Sequence, residues 1–231
     1  KIGIGEGIQL ITTDALQSAV AKEILSKYTR DRLRWACKPL MLLYLTEKGY
    51  DRVIYVDNDI YFYSSPDFLF DQLGTDSVIL TPHWYPASPE HGQHWLEANF
   101  RIGLYNAGFV GASLKAKEAL TWWAQCCAYN VKKAAWRGLF DDQKYLDLMP
   151  VLFNGVNVLK HKGCNVASWN EEACPRSIKD NALVLDDEWP LIFIHFNGFT
   201  MRSILKGQDQ LLKPHLHEYF DALKEFNPSF Q

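Results

Sequence analysis

Two aspartates flank an asparagine in the stretch YDRVIYVDNDIYFYSS, residues 50–65, and they offer the chain's first chemistry. Asp57 and Asp59 are two apart, so in extended chain both carboxylates point to one side while Asn58 points to the other. Two neighbouring carboxylates repel each other and resist desolvation unless a positive charge sits between them. A hard divalent cation answers that need, and Mg2+ typically sits on one or two carboxylates plus substrate phosphates. Capping of the following turn by either Asp is the plainer alternative, and the rest of the chain must decide between them.

Four further places carry groups suited to the same chemistry. His195 ends the apolar run LIFIHF and is followed by Asn197 and Gly198, a residue that permits close approach. Asn106 heads YNAGFVGAS, whose internal Gly108 and Gly111 mark a bulge or the near approach of a ligand or backbone. Asp142 and Gln143 precede a short helical stretch; they either satisfy its free amides or grip sugar hydroxyls. Lys38, just before Pro39, is either a solvated side chain or one that reaches a phosphate. His91 and His94 read as a surface pair.

The elements that must position these groups follow from periodicity and punctuation. The run 53–56 reads as an interior strand of a parallel sheet covered on both faces, with a ligand crevice at its carboxyl end. Further strands are expected at 77–81, 105–113, 156–159, 165–169 and 191–196. Helices are expected from an Asp14 cap to Lys27, from Arg32 to Lys48 with an interruption at Pro39, and over 66–73, 115–131 and 208–226. Between them, 82–100 reads as a long loop of the lid type, in which Trp84 and Trp95 either pack within the loop, the simpler explanation, or stack on a sugar ring. The class is α/β.

At 231 residues, 48% hydrophobic and 22% charged, the chain has ordinary globular composition and length for a substantial core. A net charge of −3 gives no electrostatic reason to bind nucleic acid. Five cysteines, an odd number with Cys126 and Cys127 adjacent, argue against a disulfide framework and for a reducing, cytoplasmic setting. Pairing of Cys164 with Cys174 is the alternative if the protein is exported. No apolar run is long enough to span a bilayer, which leaves peripheral membrane association open.

Taken together, VIYVDNDIYF at 53–62, YNAG at 105–108, DDQ at 141–143 and HFNG at 195–198 resemble the GT-A nucleotide-sugar glycosyltransferases, in the order seen in the branch related to glycosyltransferase family 8. The resemblance covers about residues 30 to 200. It implies a mixed, mainly parallel sheet with helices on both faces, forming a single catalytic domain over residues 1–231. It further implies that Asp57, Asp59 and His195 bind Mn2+ or Mg2+, with Asn58, Gly198 and Lys38 close to the donor diphosphate. Asn106, Asp142 and Gln143 would meet the donor sugar and the reaction centre. Where the family carries a later lysine, this chain departs with Phe-Thr-Met-Arg, so Arg202 or Lys206 stands in for it. No uridine-binding first strand is recognisable in Lys1–Leu10, and an upstream βαβ piece is expected to be missing. The implied activity is transfer of a sugar from a nucleotide-sugar donor, UDP-linked by the resemblance, to a saccharide or glycolipid acceptor, with retention, in surface-polysaccharide assembly.

Two rival readings stand beside it. One is a binding module for carbohydrate or nucleotide-sugar that keeps the metal site without turnover. The other is a phosphohydrolase with an Asp nucleophile; such a motif should open the chain and be joined by a later acidic pair after a strand, whereas Asp141 and Asp142 open a helix.

Overall fold

The computed structural model describes residues 7–226, and the glycine-alternating start, Lys1–Glu6, lies outside them. Ser18, rather than Asp14, caps the first helix, α1 (Ala19–Lys27), its side chain accepting from the Ala21 amide. Helix α2 (Arg30–Glu47) then runs without interruption through Pro39. A proline there forfeits one backbone hydrogen bond. The apolar face it lies in, with Ala36, Leu40 and Leu42 all buried, holds the helix together across that gap.

Strand β1 (Arg52–Val56) leads into a turn at 57–59 and then into the short β2 (Ile60–Phe62). Helix α3 (Asp67–Leu73) follows, then β3 (Val78–Pro82). The segment expected to be a long loop contains helix α4 (Gln93–Arg101). Next come β4 (Tyr105–Ser113), α5 (Lys117–Tyr129), the single-turn α6 (Met149–Leu152) and β5 (Val156–Val158). No strand forms at 165–169; Val166 makes an isolated bridge to Ile194 and a 3-10 turn follows at Ser168–Asn170. A small meander, β6 (Arg176–Lys179), β7 (Ala182–Leu185) and β8 (Trp189–Pro190), precedes β9 (Phe193–His195), α7 (Gly198–Leu205) and α8 (Lys213–Phe226).

The class is mixed α/β, as expected, but the main sheet is less parallel than the sequence implied. Its order is β1-β4-β3-β5, and only the β3–β5 pairing is parallel. Among the described residues β1 lies at its edge and is half-buried rather than interior. An apolar run of four residues specifies a strand but not its neighbours or their direction.

Alternation along the strands builds two apolar layers. Val78, Leu80, Val110 and Ala112 face α1, α2 and α5, where Leu42, Leu120 and Trp123 complete one core. Ile79 and Phe109 face the other way, onto Leu69 and Leu73 of α3 and Phe193 of β9. Helices therefore cover both faces. The expected irregularity in β4 is present: its register against β3 shifts between Leu80 and Thr81, so that Leu80 pairs with Val110 and Thr81 with Asn106.

Candidate metal centre and its cleft

The chain turns at Asp57 because its amide donates to the Gly108 carbonyl at 2.8 Å while its own carbonyl accepts from the Ile60 amide at 3.2 Å. Asp57 and Asp59 thus converge through a turn, not through the side-to-side alternation of a strand. β2 then pairs antiparallel with β9, setting Ile60 opposite His195, and the Phe196 amide donates to the Asp59 carbonyl at 2.7 Å. Two segments far apart in sequence are locked so that Asp57, Asp59 and His195 each offer a ligand atom within 4.8 Å of the others. His195 Nε2 lies 3.1 Å from Asp59 Oδ1. Burial alone would raise the Asp59 carboxyl, but the hydrogen bond and charge of His195, with a contribution from Arg34, hold it below the usual carboxylate range.

Two carboxylates and an imidazole are a donor set that suits Mn2+ or Mg2+. The local backbone is shaped for that set. A Cβ at Gly108 would come within 2.6 Å of both His195 Cε1 and Asn106 Oδ1, and 3.1 Å from Asp57 Oδ2, so glycine is what keeps this space open. The residues present therefore fit a divalent cation.

Behind the triad lies a buried charge cluster. Lys38 is only 4% exposed, and its Nζ donates to the Ala107 carbonyl at 3.0 Å. It lies 3.3 Å from Asp57 Oδ1 and 3.4 Å from Asp142 Oδ2. Burial pulls the Lys38 ammonium down, but the three nearby carboxylates, Asp142, Asp57 and Asp141, more than offset it and leave it above its ordinary value. Lys38 is thus a buried counter-ion rather than a solvated side chain or one free to reach a phosphate. Asp142 is fully enclosed; burial raises its carboxyl to about 7, against the pull of Lys38. The Tyr55 hydroxyl donates to Asp57 Oδ1 at 2.7 Å, and burial and this carboxylate hold it protonated.

Beside the triad, whose three residues do not themselves line it, opens a cleft of about 780 Å3 walled by His83, Tyr85, Trp95, Asn106, Gln143 and Trp169 among others. His83 stacks on Tyr85 with ring centroids 4.7 Å apart, and Tyr85 on Trp95 at 5.5 Å. The Trp169 ring stands edge-on to His195 at 5.3 Å, so the aromatic wall runs up to the metal triad. Trp84 is not part of this lining; its ring packs under Lys160 and Lys162.

The remaining expected site residues fall around this centre. Asn106 is buried at the cleft wall, and its Oδ1 accepts from the Gly108 amide at 2.7 Å. Gln143 lines the cleft and donates to the Ile102 carbonyl at 3.4 Å, while it is Asp141, not Asp142, that caps the local turn by accepting from the Gln143 amide. Arg202 lines the cleft from α7 with its guanidinium 4.8 Å over the Phe199 ring, and Lys206 lies on the same rim. Asn58 is exposed in the turn between the two aspartates, and Gly198 is exposed at the start of α7. Cys164 and Cys174 are both buried free thiols.

Sequence reading missed Arg34, His83 and Trp169. Arg34 stands one helical turn before Lys38 on α2, a spacing that points both side chains one way, but it is hidden once the helix is taken to break at Pro39. His83 follows β3, and only the β3–β4 register places it beside Asn106.

No family model matches the chain. Among curated proteins it is similar to the uncharacterized protein YfnF of Bacillus subtilis strain 168, with 34% identity over 206 residues, covering 85% of this chain and 66% of the relative. YfnD of the same organism, also uncharacterized, is 35% identical over 173 residues, covering 72% of this chain and 53% of the relative. The chain thus spans less than two thirds of the length of either. Among solved structures it is similar to a glycosyltransferase involved in the glycosylation of the major capsid of PBCV-1, with 13% identity, a TM-score of 0.47, and 86% of this chain and 92% of that one covered. Mouse xyloside xylosyltransferase 1 gives 15% identity, the same TM-score, and 81% and 73% coverage. Likeness at that level decides no chemistry.

Proposed function

We propose that this chain is a metal-dependent glycosyltransferase of the GT-A kind, which moves a sugar from a nucleotide-sugar donor, UDP-linked, to a saccharide or lipid-linked acceptor. The observation that carries the reading is the convergence of Asp57, Asp59 and His195 next to an aromatic-walled cleft, which Trp169 links to His195. Acidic and imidazole ligands beside a space kept open by Gly108 suit a cation bridging to a diphosphate. Aromatic faces beside buried amides suit sugar rings and their hydroxyls.

In this reading Asp57, Asp59 and His195 hold Mn2+ or Mg2+, which when bound supplies Lewis-acid neutralisation of the departing diphosphate. Lys38 and the Tyr55 hydroxyl fix Asp57 from behind, so the ligand carboxylate is oriented before anything binds. Asn106 and Gln143 orient the donor sugar against the cleft wall. Asp142, enclosed behind the reaction centre, shapes its field through Lys38. With the leaving phosphate able to take the acceptor proton, transfer with retention needs no strong protein base.

Calorimetric titration of UDP, with GDP as comparison, in the presence and absence of Mn2+ tests this. Binding is expected to require Mn2+, to prefer UDP, and to vanish in Asp59→Ala while the fold persists. Nucleotide binding that ignores Mn2+, or that survives in Asp59→Ala, overturns the assignment.

A further inference from the structure

The cleft opens between two surface segments whose composition differs from the rest of the chain. One is the turn that leads into Phe140 on the cleft wall. There Ala134 and Leu139 pair as an antiparallel bridge, so the residues between them form a projecting tip, and Trp136 at that tip is 86% exposed. The other is α7 and the residues just after it, where Phe199 and Leu205 are 72% and 67% exposed.

Both segments are basic without relief. Residues 130–138 carry Lys132, Lys133 and Arg137, residues 198–208 carry Arg202 and Lys206, and neither contains a carboxylate, although the chain as a whole has a net charge of −3. Lys133 is occupied, 3.5 Å from Asp141 and packed over Trp35 and Phe140. Lys132, Arg137, Arg202 and Lys206 are exposed, and none lies within ion-pair distance of a carboxylate among the described residues. The two guanidinium groups rest on the exposed aromatics themselves, Arg137 over Trp136 at 5.8 Å and Arg202 over Phe199 at 4.8 Å.

A fully exposed tryptophan has no folding role to explain it, since its apolar area stays in water. Exposed Trp, Phe and Leu set among unpaired Lys and Arg are what a surface needs to sit at the headgroup level of a bilayer. There the rings enter the acyl boundary and the cations meet anionic headgroups. Protein interfaces share the Trp, Phe and Arg but are depleted in Lys, whereas Lys132 and Lys206 stand exposed among these rings, and a nucleic acid would not call for the exposed leucine.

We infer that the 132–138 tip and α7 dock the mouth of the cleft on an anionic lipid surface, so that the cleft faces the membrane. The docking does not rest on the sugar-transfer reading; its consequence, that the acceptor is taken from the bilayer as a lipid-linked saccharide, does.

Flotation of the protein with vesicles tests it, using phosphatidylcholine alone and an equimolar mixture with phosphatidylglycerol. The chain is expected to float with the mixed vesicles at least about tenfold better than with the neutral ones and to be released at roughly 0.5 M salt. Lys132→Gln/Arg137→Gln is expected to lower binding by about fivefold per cation, and Trp136→Ser/Leu205→Ser to lower it by about tenfold or more. All four positions are exposed and stand outside the metal centre and cleft lining, so Mn2+-dependent UDP binding and the unfolding midpoint serve as controls. Equal partition onto the two vesicle types, or unchanged flotation of Trp136→Ser/Leu205→Ser, overturns the inference. So does retention on dextran sulfate without flotation, which would assign the patch to a soluble polyanion. Because flotation uses no nucleotide and the titration no lipid, failure of one reading leaves the other intact.

Discussion

His83 Nε2 lies 3.2 Å from the amide nitrogen of Asn106, while His83 Nδ1 lies 2.9 Å from the Gly103 carbonyl oxygen. A carbonyl can only accept, so Nδ1 carries the proton, and in the neutral ring Nε2 is the acceptor. The Asn106 amide is then fixed: its nitrogen donates to His83 and its oxygen accepts from the Gly108 amide. One N–H of Asn106 remains as the donor it can offer to a ligand oxygen in the cleft it lines.

This relay makes His83→Phe informative. The substitution keeps a ring against Tyr85 but removes the acceptor, so the Asn106 amide loses its fixed orientation. Turnover is expected to fall roughly tenfold or more through kcat, and the Asn106 side-chain amide resonances to shift. An unchanged kcat with unchanged resonances would show that Asn106 is held by Gly108 alone.

The same histidine sets an acid limit on stability. Burial is the main cause that pushes its pKa down to about 3, so between that value and about 6.5 the unfolded chain binds a proton that the folded one refuses. The stability that neutral His83 secures is complete above pH 6.5 and is lost progressively toward pH 3, by up to on the order of 4 kcal/mol. Denaturant unfolding across that range is expected to show a flatter pH profile for His83→Phe than for the parent.

Two glycines separate a steric role from a mere turn. Gly108→Ala would drive a methyl into His195 Cε1 and Asn106 Oδ1, and is expected to abolish Mn2+ binding, read by calorimetry. Gly198→Ala meets nothing within 4 Å at the start of α7 and should be neutral or stabilise by up to about 1 kcal/mol, the limit that helix propensity sets.

Lys38 is shared between the half-buried Asp57 and the enclosed Asp142. Lys38→Met leaves both carboxylates without their counter-ion and is expected to cost about 3–5 kcal/mol by denaturant titration. Adding Asp142→Leu removes one of the stranded charges and should recover part of that loss. Full tolerance of Lys38→Met would mean that Asp142 is protonated already and the cluster carries less charge than its geometry implies.

Much of the centre was legible because its residues are costly to bury. Asp57, Asp59, Asn106 and His195 each border or interrupt an apolar run, and a polar group placed there must have a partner. Periodicity likewise placed β4 and α5 closely, since a run of eight consecutive buried positions and a wide apolar helix face admit little else. It failed at 82–100, where three prolines suggest a loop yet α4 forms by packing Ala98 against Tyr85 and Trp169. It failed at Pro39 for the converse reason: one missing hydrogen bond is small beside the burial of a whole helix face.

The sequence by itself marked Asp57, Asp59 and His195 as candidate ligands and most segments as strand or helix, because residue type and spacing act over a few neighbours. Only the tertiary structure decided who meets whom. The antiparallel β2–β9 pairing brings His195 to Asp59, the β3–β4 register shift sets His83 against Asn106, and the uninterrupted α2 buries Lys38 between two aspartates. Each is a long-range juxtaposition fixed by strand pairing and packing, and no local pattern in the chain encodes it.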